Sequence, residues 1–346
     1  MEVLAERGYH VTAFDNFSVG REEFLSKAQA SGRLSIVRGD ALDLDALTEA
    51  SKGHNVIVHL AANPEARWGL ERTRLDLEQG TIATYNSLEA ARLNGIADFV
   101  FSSSGTVYGN TAKACAETEL GELPISLYGA SKFAGEALVS SYVECFKIRG
   151  TICRFGNVVG PRGTHGAILD FLKKLKAHPE YLDVLGNGTQ SKPYLHVTDC
   201  VAGLVHALDH GPDALNVYNL GPKDFTSVKK IAELCVAASP RVGKRSPLPT
   251  RRLDGKTWAA DTFGVPRAAC SAGEPRGEPR PARHFRPNLE GRTHVPRCDA
   301  NYATSPSSSL RSTMLCQYGG APWRRPRGRA SRSSKGGPVS SSTLLT

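Results

Sequence analysis

The sequence predicts an α/β fold built on a doubly wound parallel sheet, and three observations carry that prediction. Residues 1–240 alternate short apolar runs with stretches of helical spacing, the βαβ pattern of a parallel sheet wrapped by helices. Two of the runs, Val56–Leu60 and Asp98–Ser102, are not broken by regular polar alternation, as expected of strands covered on both faces. After Pro240 the texture changes completely, so the fold belongs to the first 240 residues. A chain of 346 residues with 40% hydrophobic content can bury a substantial core.

Taken in order, Met1–Gly8 reads as the end of a helix closed by a glycine. His10–Phe14 reads as a strand ending at Asp15. Leu34–Val37 is a second short strand, followed by Gly39-Asp40 and a helix near Leu42–Ser51. Val56–Leu60 is the third strand. Thr81–Leu93 has helical spacing at Ile82, Leu88 and Ala91 and stops at Asn94-Gly95. Asp98–Ser102 is a strand, Leu127–Ile148 a long helix, and Thr151–Phe155 the next strand.

The net charge of +9 suggests a nucleic-acid partner until its location is read. Residues 241–346 carry 20 of the 43 Lys/Arg but only 6 of the 34 Asp/Glu. The first 240 residues are therefore mildly acidic, and the basicity belongs to the tail. That tail has no isoleucine, twelve of the twenty prolines, and repeated Arg, Ser and Gly. Such composition buries too little to offset ordering entropy, so disorder is expected. Out-of-frame translation of GC-rich DNA would give the same composition. Arg324-Arg325 and Arg327-Gly328-Arg329 form a basic cluster, yet nucleic acid is not an expected partner. No apolar run approaches the roughly 18 residues of a membrane span, and no secretory leader pattern is present. Eight cysteines without C-x-x-C pairs suggest reduced, mostly buried thiols in a cytoplasmic protein. No metal site is expected.

Chemistry concentrates in two segments. Tyr128-Gly-Ala-Ser-Lys132 places a tyrosine and a lysine one helical turn apart, on one face. An ammonium beside a phenol favours the phenolate, which lowers its pKa from about 10 toward neutrality and makes a general base. Upstream, Phe101-Ser102-Ser103-Ser104-Gly105-Thr106-Val107-Tyr108-Gly109 lies at the carboxyl end of a predicted parallel strand, the edge where open α/β sheets bind ligands. A hydroxyl there can bond the oxygen being oxidised and relay its proton.

Together, these two segments resemble the extended short-chain dehydrogenase/reductases, and most closely the UDP-glucose 4-epimerase-like nucleotide-sugar epimerases, over roughly residues 1–240. The resemblance implies a Rossmann-like domain over 1–160, a partial substrate-binding region interleaved with it over 161–240, and the basic tail over 241–346. It implies catalytic roles for Ser104, Tyr128 and Lys132, with NAD as cofactor. Asp15-Asn16-Phe17-Ser18 resembles the segment whose acid takes the adenosine ribose hydroxyls. A carboxylate there favours NAD over NADP, with Asn16 and Ser18 beside it. Asp40 and Ala41 resemble the adenine contact, and Leu60, Ala61 and Ala62 the strand end against the cofactor. Phe155, Tyr128 and Lys132 complete the cofactor set.

For the substrate, the resemblance implies contacts from Ser104, Asn157 and Lys192, the last near the diphosphate of a UDP-sugar. Tyr194-Leu195-His196-Val197-x-Asp199 matches a further motif, in which His196 is expected to be a packed, hydrogen-bonded core histidine. Relatives that eliminate water or decarboxylate carry an acid near Thr106. Gly105-Thr106-Val107 offers none, which favours epimerisation. A homodimer is implied by the family.

Two departures shape the expectations. The family's Asn-x-x-Gly-Thr appears as Gly80-Thr81-Ile82-Ala83-Thr84, which removes an asparagine amide near the site. The glycine loop belongs about 20 residues before the ribose-binding acid, so for Asp15 it falls before Met1. The first, central strand falls there too, and its neighbours are expected to leave backbone groups unpaired. The alternatives are an inactive fragment that binds no cofactor, or a dehydratase or reductase of the same family.

Overall fold

The computed structural model describes residues 1–111, 114–119 and 122–239, together with the backbone of short strands at 250–252, 314–318 and 344–345. All of these fall in one compact unit, Met1–Ala268 with Leu310–Thr346. The rest of the tail, on which the expectation of disorder rests, lies outside the described residues.

The elements run as follows. A short helix α1 (Glu2–Glu6) leads into β1 (Tyr9–Asp15), then α2 (Ser26–Gln29), β2 (Leu34–Arg38), α3 (Leu44–Ser51) and β3 (Val56–His59). Short helices α4 (Trp68–Glu71) and α5 (Arg74–Asp76) lead through a π-helical turn (Leu77–Ile82) into α6 (Ala83–Leu93). Strand β4 (Asp98–Ser104), α7 (Leu127–Phe146), β5 (Arg149–Phe155) and β6 (Asn157–Val159) follow. The last described third holds α8 (Ala167–Ala177), β7 (Leu182–Val184), β8 (Ser191–Lys192), β9 (Tyr194–His196), α9 (Val197–His210), β10 (Leu215–Leu220), β11 (Thr226–Ser227) and α10 (Val228–Ala238). The tail adds β12 (Thr250–Arg252), β13 (Met314–Tyr318) and β14 (Leu344–Leu345).

The main sheet has the order β2–β1–β13–β3–β4–β5–β10. The pairs β1–β2, β3–β4, β4–β5 and β5–β10 are all parallel, so the doubly wound parallel sheet stands. In β3 every residue is buried, because each face meets a helical layer. Ile57 joins Phe14, Leu47, Leu88, Phe99 and Phe101 with side chains of α7 on one face. Val56 and Val58 join Val11, Val100, Leu204 and Leu208 with α1 on the other. Each such large side chain contributes about 1.5–3 kcal/mol by leaving water.

One expectation about the sheet is corrected. The position between β1 and β3 does not leave two open strand edges: β13 runs there antiparallel, pairing Val11 with Cys316 on one side and Val56 with Cys316 on the other. Strand β14 adds parallel bridges to Ala13 and to Ile57 and Val58. Two facing rows of backbone donors and acceptors demand partners once buried, and Met314-Leu-Cys-Gln-Tyr318 supplies them.

Helix starts follow side-chain capping. Ser126 accepts from the Gly129 amide at 3.0 Å to open α7, and Asp43 accepts from the Ala46 amide at 3.0 Å to open α3. The π turn was not foreseen. Gly80 sits within it, and a Cβ on Gly80 would lie 2.3 Å from Ser131 Oγ. Glycine is thus what allows the turn to press against α7. Beyond residue 160, α9 and β10 return to the main sheet, whereas Phe171, Leu175, Leu182, Val184, Ile231 and Cys235 form a separate small core.

Candidate active site

Strand β4 ends at Ser104, and its carboxyl end is where α7 delivers Tyr128 and Lys132. Ser104 Oγ accepts from the Thr106 amide at 3.3 Å, and its hydroxyl lies near enough to the Tyr128 phenol to pull it down. Lys132 is 2% exposed. Its Nζ donates to the Ser102 carbonyl at 2.6 Å and to Ser102 Oγ at 3.4 Å. It stands 5.0 Å from the Phe101 ring centroid and 5.9 Å from that of Tyr128. The three residues that the motifs predicted are therefore together.

Their electrostatics differ from expectation. Burial of its hydroxyl pushes Tyr128 up to about 12, against the pull of the nearby Ser104 hydroxyl, and the Asp76 charge adds to the rise. Burial likewise pushes Lys132 down to about 7, with Asp76 and Glu136 opposing. The lysine does not bring the phenol toward neutrality here, because its hydrogen bonds go to Ser102 and desolvation dominates both groups.

Behind this centre lies a buried polar network. Arg154, 9% exposed, forms a bidentate pair with Glu136, 7% exposed, with Nε–Oε1 at 2.9 Å and Nη2–Oε2 at 2.7 Å. Ser103 Oγ also donates to Glu136. Arg154 Nη1 donates to Tyr108 Oη at 2.7 Å, and Tyr108 in turn donates to Asn219 Oδ1 at 2.8 Å. The network ties β4, β5, β10 and α7 together directly beneath the site.

The residues expected against the cofactor follow the carboxyl ends of the parallel strands. Asp15 is 7% exposed, and its Oδ1 accepts from the Phe17 amide at 2.7 Å. Asn16 Oδ1 accepts from the Ser18 amide at 3.1 Å and from Ser18 Oγ at 2.6 Å. Asp40 Oδ1 accepts from the Leu42 amide at 2.8 Å, and the Ala41 carbonyl accepts from Asn86 at 2.9 Å. After β3, Leu60 is 37% exposed while Ala61 is buried and Ala62 partly so. Phe155 closes β5 and is partly buried.

Of the substrate-side residues, Asn157 Nδ2 reaches the Pro193 carbonyl at 3.5 Å, and Lys192 is partly buried in β8. Burial lowers Lys192, while Glu65 raises it. Glu65 and Arg67, themselves joined by two hydrogen bonds of 2.9 Å, line a cavity of about 350 Å³ with Val19, Pro64, Trp68 and His165.

His196 is a correction. It is exposed, and instead of packing in the core it caps α9, with Nδ1 2.7 Å from Thr198 Oγ1. Helix α9 begins at the next residue, so its first turn needs an acceptor there. No motif marked Asp76, which is 1% exposed in α5. An acid flanked by Leu75 and Leu77 was the available signal. Among the described cysteines, Cys153, Cys200 and Cys235 are buried, Cys115 partly so and Cys145 exposed. No helix among the described residues is long and apolar enough to cross a membrane.

This arrangement agrees with comparison to known proteins. The profile of the NAD dependent epimerase/dehydratase family matches residues 1–221. The chain belongs to that family. A UDP-glucose 4-epimerase of Corynebacterium glutamicum is 28% identical over 248 residues, covering 67% of this chain and 74% of its own. Among solved structures, a UDP-galactose 4-epimerase is 36% identical with a TM-score of 0.61, covering 67% of this chain and 76% of its own. A Thermus thermophilus UDP-glucose 4-epimerase in complex with NAD is 26% identical with a TM-score of 0.63, covering 72% and 81%. This family consists of NAD-dependent enzymes acting on nucleotide sugars. The donor set fits that cofactor at both ends: a carboxylate at the end of β1 suits ribose hydroxyls, and the Tyr128 and Lys132 donors on α7 suit the second ribose.

Proposed function

We propose that this protein epimerises a UDP-sugar at C4. The observation that carries the reading is Ser104 at the end of β4 beside Tyr128, with Lys132 one turn away and a Gly105–Val107 segment that holds no carboxylate. An elimination needs an acid beside the sugar. Without one, the chemistry left to the site is oxidation at one carbon and return of hydrogen to its other face.

Asp15, Asn16 and Ser18 hold the adenosine ribose, Asp40 and Ala41 flank the adenine, and Leu60, Ala61, Ala62 and Phe155 pack along the cofactor. When bound, NAD supplies a reversible hydride acceptor. Tyr128 takes the 4-hydroxyl proton, Ser104 relays it, and Lys132 holds the nicotinamide ribose. Asn157 and Lys192 hold the nucleotide diphosphate while the sugar turns over. A homodimer is part of this reading. It is supported by the exposed Ile82, Tyr85 and Leu93 of the α6 side and Phe133 of the adjoining α7.

The test is interconversion of UDP-glucose and UDP-galactose by the full chain supplied with NAD. Turnover is expected, with Tyr128→Phe lowering kcat by about 10²–10⁴-fold. No interconversion while NAD remains bound, or an unaffected Tyr128→Phe, would overturn the reading. A chain that retains no NAD would favour the non-catalytic alternative.

A further inference from the structure

Three loops meet around the cavity of about 350 Å³. Val19 comes from the loop after β1, Pro64 and Glu65 from the loop after β3, Trp68 and Glu71 from α4, and Thr164 from the loop after β6. The loops after β1 and β3 leave the carboxyl edge of the main sheet, where open α/β sheets take their ligands. Helix α4 also packs against α7, the helix that carries Tyr128 and Lys132. The volume is at the small end for a small-molecule site. It has room for one sugar ring and too little for a dinucleotide.

The lining decides which ring fits. Arg67 donates from Nε to Glu65 Oε1 and from Nη2 to Glu65 Oε2, both at 2.9 Å. This guanidinium holds the Glu65 carboxyl below its ordinary range. The same two-pronged fork is what grips a ligand carboxylate when it is free, and here Glu65 has taken it. Glu71 adds a second negative charge to the wall and has no ion-pair partner among the described residues. An anionic ring would therefore meet two carboxylates and a guanidinium already engaged. An uncharged pyranose meets what it needs. Its C–H face suits the aromatic surface of Trp68, over whose ring Arg72 stands at 5.5 Å. Its hydroxyls suit the fixed donors and acceptors of the Arg67–Glu65 pair and of Thr164 Oγ1, which lies 3.1 Å from His165 Nδ1. Beside the cavity, Lys192 of β8 is close enough for the Glu65 charge to raise it and the Arg67 charge to lower it.

We propose that this cavity takes the sugar ring of the nucleotide sugar and selects an uncharged hexose over a uronic acid, with Glu65, Arg67 and Glu71 setting that choice. The inference deepens the epimerase reading and rests on it for the nucleotide end of the ligand, which Lys192 holds.

Isothermal titration calorimetry of the full chain with NAD reads the choice, using UDP-glucose, UDP-glucuronate and UDP. UDP-glucose is expected to bind about tenfold tighter than UDP-glucuronate, because juxtaposed like charges cost affinity. Glu65→Gln removes one like charge and frees the Arg67 fork, so it should strengthen UDP-glucuronate by about tenfold while UDP stays unchanged. Glu71→Gln, at an exposed position, should shift UDP-glucuronate the same way by a smaller factor. A merely structural role for the pair would weaken all three ligands together. Equal affinity for the two sugars in the parent chain, or a Glu65→Gln that moves both sugars alike, would overturn the proposal. Because binding is read apart from turnover, selectivity without interconversion sinks only the epimerase reading, and interconversion without selectivity sinks only this inference.

Discussion

At the scale of single residues, Arg154 has the most to lose. Its guanidinium and the Glu136 carboxylate are both nearly out of water, and their two bonds of 2.9 and 2.7 Å leave neither charge uncompensated. Removing one partner strands the other, which costs more than the pair itself contributes. Arg154→Met should therefore destabilise the chain by about 3–5 kcal/mol, whereas the double variant Arg154→Met, Glu136→Leu should recover a large part of that loss. Urea denaturation of the four chains of the cycle measures the coupling. Equal losses in the single and double variants would mean that the pair is not acting as a unit.

At the scale of elements, the helix pair α6–α7 does two jobs. Its inner side carries Lys132, Glu136 and the aromatic core, while its outer side exposes Ile82, Tyr85 and Leu93 around one face of the first helix and Phe133 on the second. An apolar surface of this kind suits an isologous contact, in which the same patch serves both subunits. Tyr85→Glu with Phe133→Glu should convert a dimer to a monomer in light scattering, with far-ultraviolet circular dichroism unchanged. A monomeric parent chain would refute the assembly. The main elements and the grouping of Ser104, Tyr128 and Lys132 were legible in the sequence because each is a local signal. Apolar runs mark the buried strands, and a four-residue spacing puts Tyr128 and Lys132 on one face. What was not legible depends on packing between distant segments. The π turn at Leu77–Ile82 follows from the close approach of Gly80 to Ser131. Asp76 lies buried in α5, which packs on α7, and the tyrosine rises because its hydroxyl is enclosed. His196 misled for the opposite reason: a motif position was read as core, but the start of a helix claimed it as a cap.

At the scale of the whole molecule, everything depends on the centre of the sheet. Strand β1 ends at Asp15 and β3 leads into Leu60–Ala62, yet among the described residues their backbone ladders are joined only through the tail strands β13 and β14. Strand β13 is antiparallel in an otherwise parallel setting, and Cys316 faces Val11 on one side and Val56 on the other. A strand with neighbours on both sides tolerates no proline, because the missing amide and the ring both break the ladder. Cys316→Pro should therefore loosen β1 and β3 together while leaving β4–β5–β10 paired, since those three strands hold one another without the tail. Hydrogen exchange followed by mass spectrometry reads this directly. Peptides spanning Tyr9–Asp15 and Val56–His59 should lose protection, and those spanning Asp98–Ser104 and Arg149–Phe155 should keep it. If all four keep their protection, β13 does not join the two halves of the sheet. If all four lose it, the centre of the sheet is a condition for folding at all, and the site built on β4 and α7 depends on a segment that begins 182 residues beyond Lys132.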